Sequence, residues 1–133
     1  AENYVDRNHG AWVGRFSGTV DALFHRYGDV QESSQRTGIR EVSFTRTGGS
    51  GLRFAATGGH LLEFGAYPAL AADLEIARHP LDLPAREVVT INIDHRQMGV
   101  GGTNSWGALP LPNYRLPARG EYRFSFILTP KAP

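Results

Sequence analysis

The chain has 133 residues, with 14 basic against 13 acidic side chains, a formal net charge of +1, and no cysteine. That length fits one domain around one core. The near balance of charge gives no electrostatic reason to bind nucleic acid or an anionic membrane, and the lack of thiols excludes a disulfide framework and a thiolate metal site. No run reaches the ~20 apolar residues of a membrane span, and the first turns of sequence carry Glu2, Asp6, Arg7 and Arg15 with no apolar signal core. The chain does not begin with Met and reads as a cut from something longer, so the missing signal says little of the parent protein, for which a cytoplasmic location is expected.

In chain order, most segments read as short strands. Residues 11–18 hold Trp12, Val13 and Phe16, and Trp12 is expected in the core. Residues 39–46 place Val42 and Phe44 on one side and Ser43 and Thr45 on the other. Residues 52–57 and 61–66 flank Gly58-Gly59-His60 and read as a hairpin. Residues 69–78 follow Pro68, are rich in helix formers, and put Leu70, Leu74 and Ala77 on one face. His79-Pro80 ends this predicted helix, because the residue before a proline avoids helical geometry. Residues 87–94 alternate Val89, Ile91 and Ile93, and residues 109–117, with three prolines, read as an extended connector. Residues 121–128 alternate Tyr122, Phe124, Phe126 and Leu128 with more polar neighbours. Ile127 breaks the polar side, so this strand is expected to be covered on both faces or to meet a partner. Short strands with turn signals between them predict an all-β fold, an antiparallel β-sandwich with one short helix, in a single domain over residues 1–133.

The densest chemical signal is the glycine-rich run after the 87–94 strand, Gly99-Val100-Gly101-Gly102-Thr103-Asn104-Ser105-Trp106-Gly107. It lacks the third glycine of a dinucleotide fingerprint and the Gly-Lys-Ser/Thr of a P-loop, so phosphate binding is not supported. The histidines His9, His25, His60, His79 and His95 show no metal-ligand spacing. His79 reads as a helix-end hydrogen-bonder and His95 as a surface residue. No serine sits in a nucleophile elbow. The acidic residues are scattered, with no pair marked as the two carboxylates of a glycosidase. No catalytic residue and no metal ligand are assigned. Trp106 is the candidate that remains. A loop tryptophan either plugs a core or offers a flat apolar face and one N–H donor, which suits stacking on a sugar. Its polar and glycine neighbours favour the second role, so Trp106 is expected to be more exposed than Trp12. Asn104 and Ser105 are candidate substrate-binding neighbours.

The same residues carry a family resemblance. Ile91-Asn92-Ile93-Asp94, Gln97-Met98-Gly99-Val100-Gly101-Gly102 and Ser105-Trp106-Gly107 are similar to the C-terminal signature of bacterial β-galactosidases of glycoside hydrolase family two. Tyr114-Arg115-Leu116-Pro117-Ala118 and Tyr122-Arg123-Phe124-Ser125-Phe126 continue it. Glu2-Asn3-Tyr4, Asp6-Arg7, Gln31-Glu32, Arg36 and Arg40 resemble its earlier part. The resemblance runs from residue 2 to about residue 128.

It implies a C-terminal fragment of the family's last domain, part of a galactose-mutarotase-like supersandwich. The catalytic glutamates would lie in a separate TIM barrel, and the matching tryptophan, Trp106, would stack on a β-galactoside of the lactose kind. Expected partners are that barrel and a second copy in a homo-oligomer, with no nucleic acid and no membrane. No cofactor is expected in this chain, and the resemblance leaves room for a divalent metal in the parent enzyme. The fragment alone is expected to be inactive and, with unpaired sheet edges, to self-associate. Two departures stand out: Thr103-Asn104 replaces acidic residues before Ser-Trp, and Val30-Gln31-Glu32-Ser33-Ser34 lacks the proline and glycine of the family's turn. Competing readings are a free carbohydrate-binding β-module and a structural or oligomer-forming domain.

Overall fold

The computed structural model describes residues 3–6, 12–101, 104 and 106–133. Its elements in order are α1 (Val20–Leu23), β1 (Arg36–Ile39), β2 (Glu41–Thr45), β3 (Gly51–Ala56), β4 (Leu62–Tyr67), α2 (Ala71–Ile76), β5 (Thr90–Asp94) and β6 (Phe126–Lys131). Single 3-10 turns form at Pro80–Asp82 and Pro112–Tyr114. The strands make two antiparallel three-stranded sheets, ordered β1-β4-β5 and β2-β3-β6. This is the expected all-β, two-sheet class, with two short helices where one was expected. The extra one, α1, starts on Thr19, whose Oγ1 accepts the Ala22 N–H at 3.2 Å.

The expected hairpin is corrected. β3 and β4 are consecutive, yet they lie in different sheets. Gly58 and Gly59, with φ of 66° and 80°, carry the chain across instead of back alongside. β3 pairs with β2, from Glu41 opposite Ala55 to Thr45 opposite Gly51. β4 is buried at every position, so it is the covered middle strand of its sheet. A strand buried on both faces has no exposed side from which a period of two could be read. β2 keeps the predicted alternation, with Val42 and Phe44 turned inward.

The core follows from these placements. Phe44 of β2 meets Phe54 at 6.2 Å and Phe64 of β4 at 5.6 Å between ring centroids, both edge to face, and so ties one sheet to the other. A second cluster joins Phe24, Tyr67, Ala69 and Leu74, with Val30 and Leu83 packed against it. Leu74 is the anchor of α2, which is shorter than the predicted 69–78. Leu70 is its exposed N-cap, not a core residue. Asp73 reaches back to the Leu70 N–H at 2.9 Å and receives two bonds from Arg86. The Arg86 guanidinium, with that N–H, holds the Asp73 carboxyl below its ordinary range.

Three further expectations are corrected. Residues 12–19 form no strand, and Trp12 is 92% exposed, with Val13 and Phe16 also out in solvent. A strand is a pairing property, and no described strand of either sheet lies alongside this segment. Residues 121–125 are likewise not strand. Pairing with β3 begins only at Phe126, opposite Ala56, where that strand ends, and continues to Lys131. All six residues of β6 are partly exposed, and its apolar side chains are only half covered, with Phe126 against Phe54 at 5.9 Å and Phe124 at 5.4 Å between ring centroids. The predicted 87–94 strand is regular only from Thr90.

The turn before β1 has its own solution. Ser34 takes φ of 75° in the left-handed region. It is fully buried. Its hydroxyl donates to the Ala66 carbonyl at 2.6 Å and accepts the Ala66 N–H at 2.8 Å. The side chain thus replaces a backbone partner for β4 and offsets the strain of its own φ.

Candidate functional site

The loop after β5 is built from its ends inward. β5 lies against β4 with Asp94 opposite Glu63. Glu63 is buried, and its Oε2 accepts the Gln97 N–H at 2.9 Å and the Gln35 side-chain amide at 3.0 Å. Burial pushes the Glu63 carboxyl above its ordinary range, as it does that of Asp94. Two neighbouring carboxyls so raised resemble a general-acid arrangement. Here, however, Glu63 is spent on protein amides and closed off from solvent, so it holds structure.

Further along, the Gly99 N–H donates to the Tyr114 carbonyl at 3.0 Å. The Asp6 carboxylate accepts the Val100 N–H at 3.1 Å and the Gly101 N–H at 2.7 Å. A Cβ on Gly99 would overlap the Asp6 carboxylate, so glycine there permits close approach. Gly101 has φ of 76°, which glycine adopts at little cost. Near the tip, Asn104 Oδ1 accepts the Trp106 N–H at 2.8 Å and the Ala108 N–H at 3.4 Å, an Asx turn.

Trp106 is 91% exposed and plugs no core. The expectation that it would be more exposed than Trp12 fails, because Trp12 is equally uncovered. Asn104 lies beside Trp106, but its side-chain oxygen is engaged by the loop, leaving only its NH2 group for a ligand. Ser105 lies outside the described residues. His95, expected at the surface, is half buried and stacks on Phe124 at 5.3 Å between centroids. His79 does not end α2, which stops at Ile76 with Ala77 as its C-cap; it is the N-cap of the following 3-10 turn, where its backbone N–H donates to Asp82 Oδ2 at 2.9 Å.

Sequence reasoning missed Asp6 and Glu63 as loop anchors. Asp6 was visible only inside the Asp6-Arg7 motif, and Glu63 carried no signal. A shallow concavity lined by Val30, Gln31, Glu32, Ala71, Leu74 and Glu75 includes neither Trp106 nor Asn104. Among the described residues, no group of three or more His, Asp and Glu side chains could hold a metal ion, and no helix is long and apolar enough to cross a membrane. The arrangement presents an indole on a loop braced at 97–101, and among the described residues no acid and nucleophile are paired beside it.

A family model described as "Beta galactosidase small chain" matches residues 1–128. The chain is 37% identical over 125 residues to a beta-galactosidase of Halalkalibacterium halodurans, covering 94% of this chain and 12% of that protein. It is 37% identical over 129 residues to a beta-galactosidase of Priestia megaterium, covering 97% and 12%. It is 33% identical over 129 residues to a beta-galactosidase of Streptococcus thermophilus, covering 97% and 12%. The chain therefore spans about 12% of the length of these relatives.

Proposed function

From the match across residues 1–128, which makes the chain a member of the β-galactosidase small-chain family, we propose that it is a C-terminal domain fragment of an enzyme that hydrolyses terminal β-D-galactosides. The supporting observation in the structure is Trp106, 91% exposed on a loop whose backbone is tied down at Gln97, Gly99, Val100 and Gly101. An indole in that position is a ready platform for the apolar face of a galactose ring. The acid and nucleophile of the reaction belong to a TIM barrel elsewhere in the enzyme, against which this domain sets its loop. No cofactor is needed for the role given to this chain. The supersandwich fold and a homo-oligomeric, cytoplasmic enzyme belong to the same proposal.

Hydrolysis of a chromogenic β-galactoside tests the division of labour. The full-length protein should turn it over and this chain alone should not, because a glycosidase needs two carboxylates flanking the bond. Turnover by the pure chain, lost on replacing one of its own Asp or Glu residues, would overturn the proposal.

A further inference from the structure

For Trp106 to stack on a substrate, its loop must keep one shape in the unbound enzyme. The groups that fix its described stretch, 97–101, come from distant sequence. Segment 3–6 is laid along the sheet by the Asn3 N–H, which donates to the Gln35 carbonyl at 2.9 Å. Gln35 donates its own side-chain amide to Glu63 at 3.0 Å. From this brace two carboxylates reach the loop. Glu63 takes the Gln97 N–H at its base, and Asp6 takes the successive Val100 and Gly101 N–H groups midway. Two consecutive amides turned toward one anion make a small nest, with Gly101 in the left-handed region. Charge-assisted bonds of this kind are roughly twice as strong as neutral ones.

We propose that Asp6 and Glu63 are positioning residues for Trp106: together they hold backbone 97–101 in the one arrangement that presents the indole to substrate. The proposal rests on the stacking role given to Trp106 above. Neither carboxylate touches the sugar. Both are occupied by main-chain N–H groups, and Glu63 is buried. Their effect is on the fraction of molecules whose loop is already in place. Apparent affinity falls in proportion to that fraction. The bare Cβ position of Gly99, against Asp6 and Tyr114, shows how closely the loop and segment 3–6 are fitted.

The test uses the full-length enzyme and two readouts. The first is site-resolved amide hydrogen exchange. Asp6→Ala should speed exchange at Val100 and Gly101, and Glu63→Ala at Gln97. Glu63→Gln, which still offers an acceptor oxygen, should restore protection at Gln97. Asp6→Asn should restore it only in part, because one amide oxygen replaces two. Asp6 is only half buried, so its variants fold even if Glu63→Ala does not. The second readout is steady-state kinetics on an aryl galactoside. Asp6→Ala should raise KM about threefold to tenfold with kcat little changed, the pattern of lost uniform binding. The combination with Trp106→Ala should raise KM no further than Trp106→Ala alone, since a brace has nothing left to position.

Unchanged exchange at all three amides would overturn the proposal. So would KM effects of Asp6→Ala and Trp106→Ala that multiply. If Trp106→Ala alone leaves KM unchanged, the stacking reading fails. Faster exchange in the Asp6 variant would then still establish the brace, so the two failures are distinguishable.

Discussion

Glu63 is a carboxyl placed where its charge is costly. It is 6% exposed, and burial is the largest influence on its proton affinity, only partly opposed by the Gln97 and Gln35 hydrogen bonds. Asp94 also faces it and disfavours its charge, while Arg96 favours it. The folded state therefore keeps this proton to higher pH than the unfolded chain does. Across that window the folded protein binds more protons, so stability falls as pH rises and the cost is complete above the raised folded value. Glu63→Gln removes the charge and keeps an acceptor for the Gln97 N–H. Its denaturation midpoint should exceed the wild type's at neutral pH, and the two should converge in acid, where Glu63 is protonated in both states. A variant that is less stable than wild type at neutral pH would mean that the carboxylate's hydrogen bonds outweigh its desolvation. Residue-level reading of the sequence singled out Trp106, Asn104 and Ser105 as candidates, because all three sit in a short local motif. It did not find Asp6 or Glu63, because their bonds to the loop span 94 or 95 residues in one case and 34 in the other.

The strands illustrate the same limit one level up. Alternation marked β2, one side of which is turned inward, and β5, which is half-buried at every position. It equally marked residues 12–18 and 121–125, which carry apolar side chains but have no described strand to pair with. Pairing is decided by the other strand, so periodicity alone found strand-like runs without finding their ladders. The Gly58-Gly59 turn was legible as a turn, but not as a crossing between sheets. The Ser34 turn is the clearest local exception, a left-handed serine tied into β4. Ser34→Ala keeps the unfavourable φ and leaves both Ala66 backbone groups without their partner, at a cost of about 1–3 kcal/mol for each buried unsatisfied group. Ser34→Gly loses the same bonds but relieves the φ strain, so it should be the less destabilised of the two in chemical denaturation. An alanine variant as stable as wild type would show that the hydroxyl contributes nothing to this turn.

At the scale of the molecule, the chain exposes 9927 Å². A folded monomer of 14.6 kDa is expected to expose about 6,900 Å². The excess is about 3,000 Å². It includes Trp12, Phe16, Ile76, Leu81, Leu109 and the half-covered β6, whose outer edge has no neighbour among the described strands. Under the role proposed for this chain, these surfaces would meet other domains of the enzyme. In the isolated chain, open edges and apolar patches favour pairing with a second copy. Sedimentation of the isolated chain should show association that grows with concentration, whereas a monomer at every concentration would contradict this reading of the surface.

The central claim, that this chain lends an indole to a galactoside site, is tested most directly by the kinetics of Trp106→Ala in the full-length enzyme. Loss of a stacking contact worth about 1.5–3 kcal/mol, the scale for burying a large apolar side chain, corresponds to roughly tenfold to hundredfold weaker binding. KM for an aryl β-galactoside should rise by that factor with kcat much less affected. Unchanged KM together with a lower melting temperature would contradict the account, because it would assign Trp106 to packing against another domain and not to the substrate.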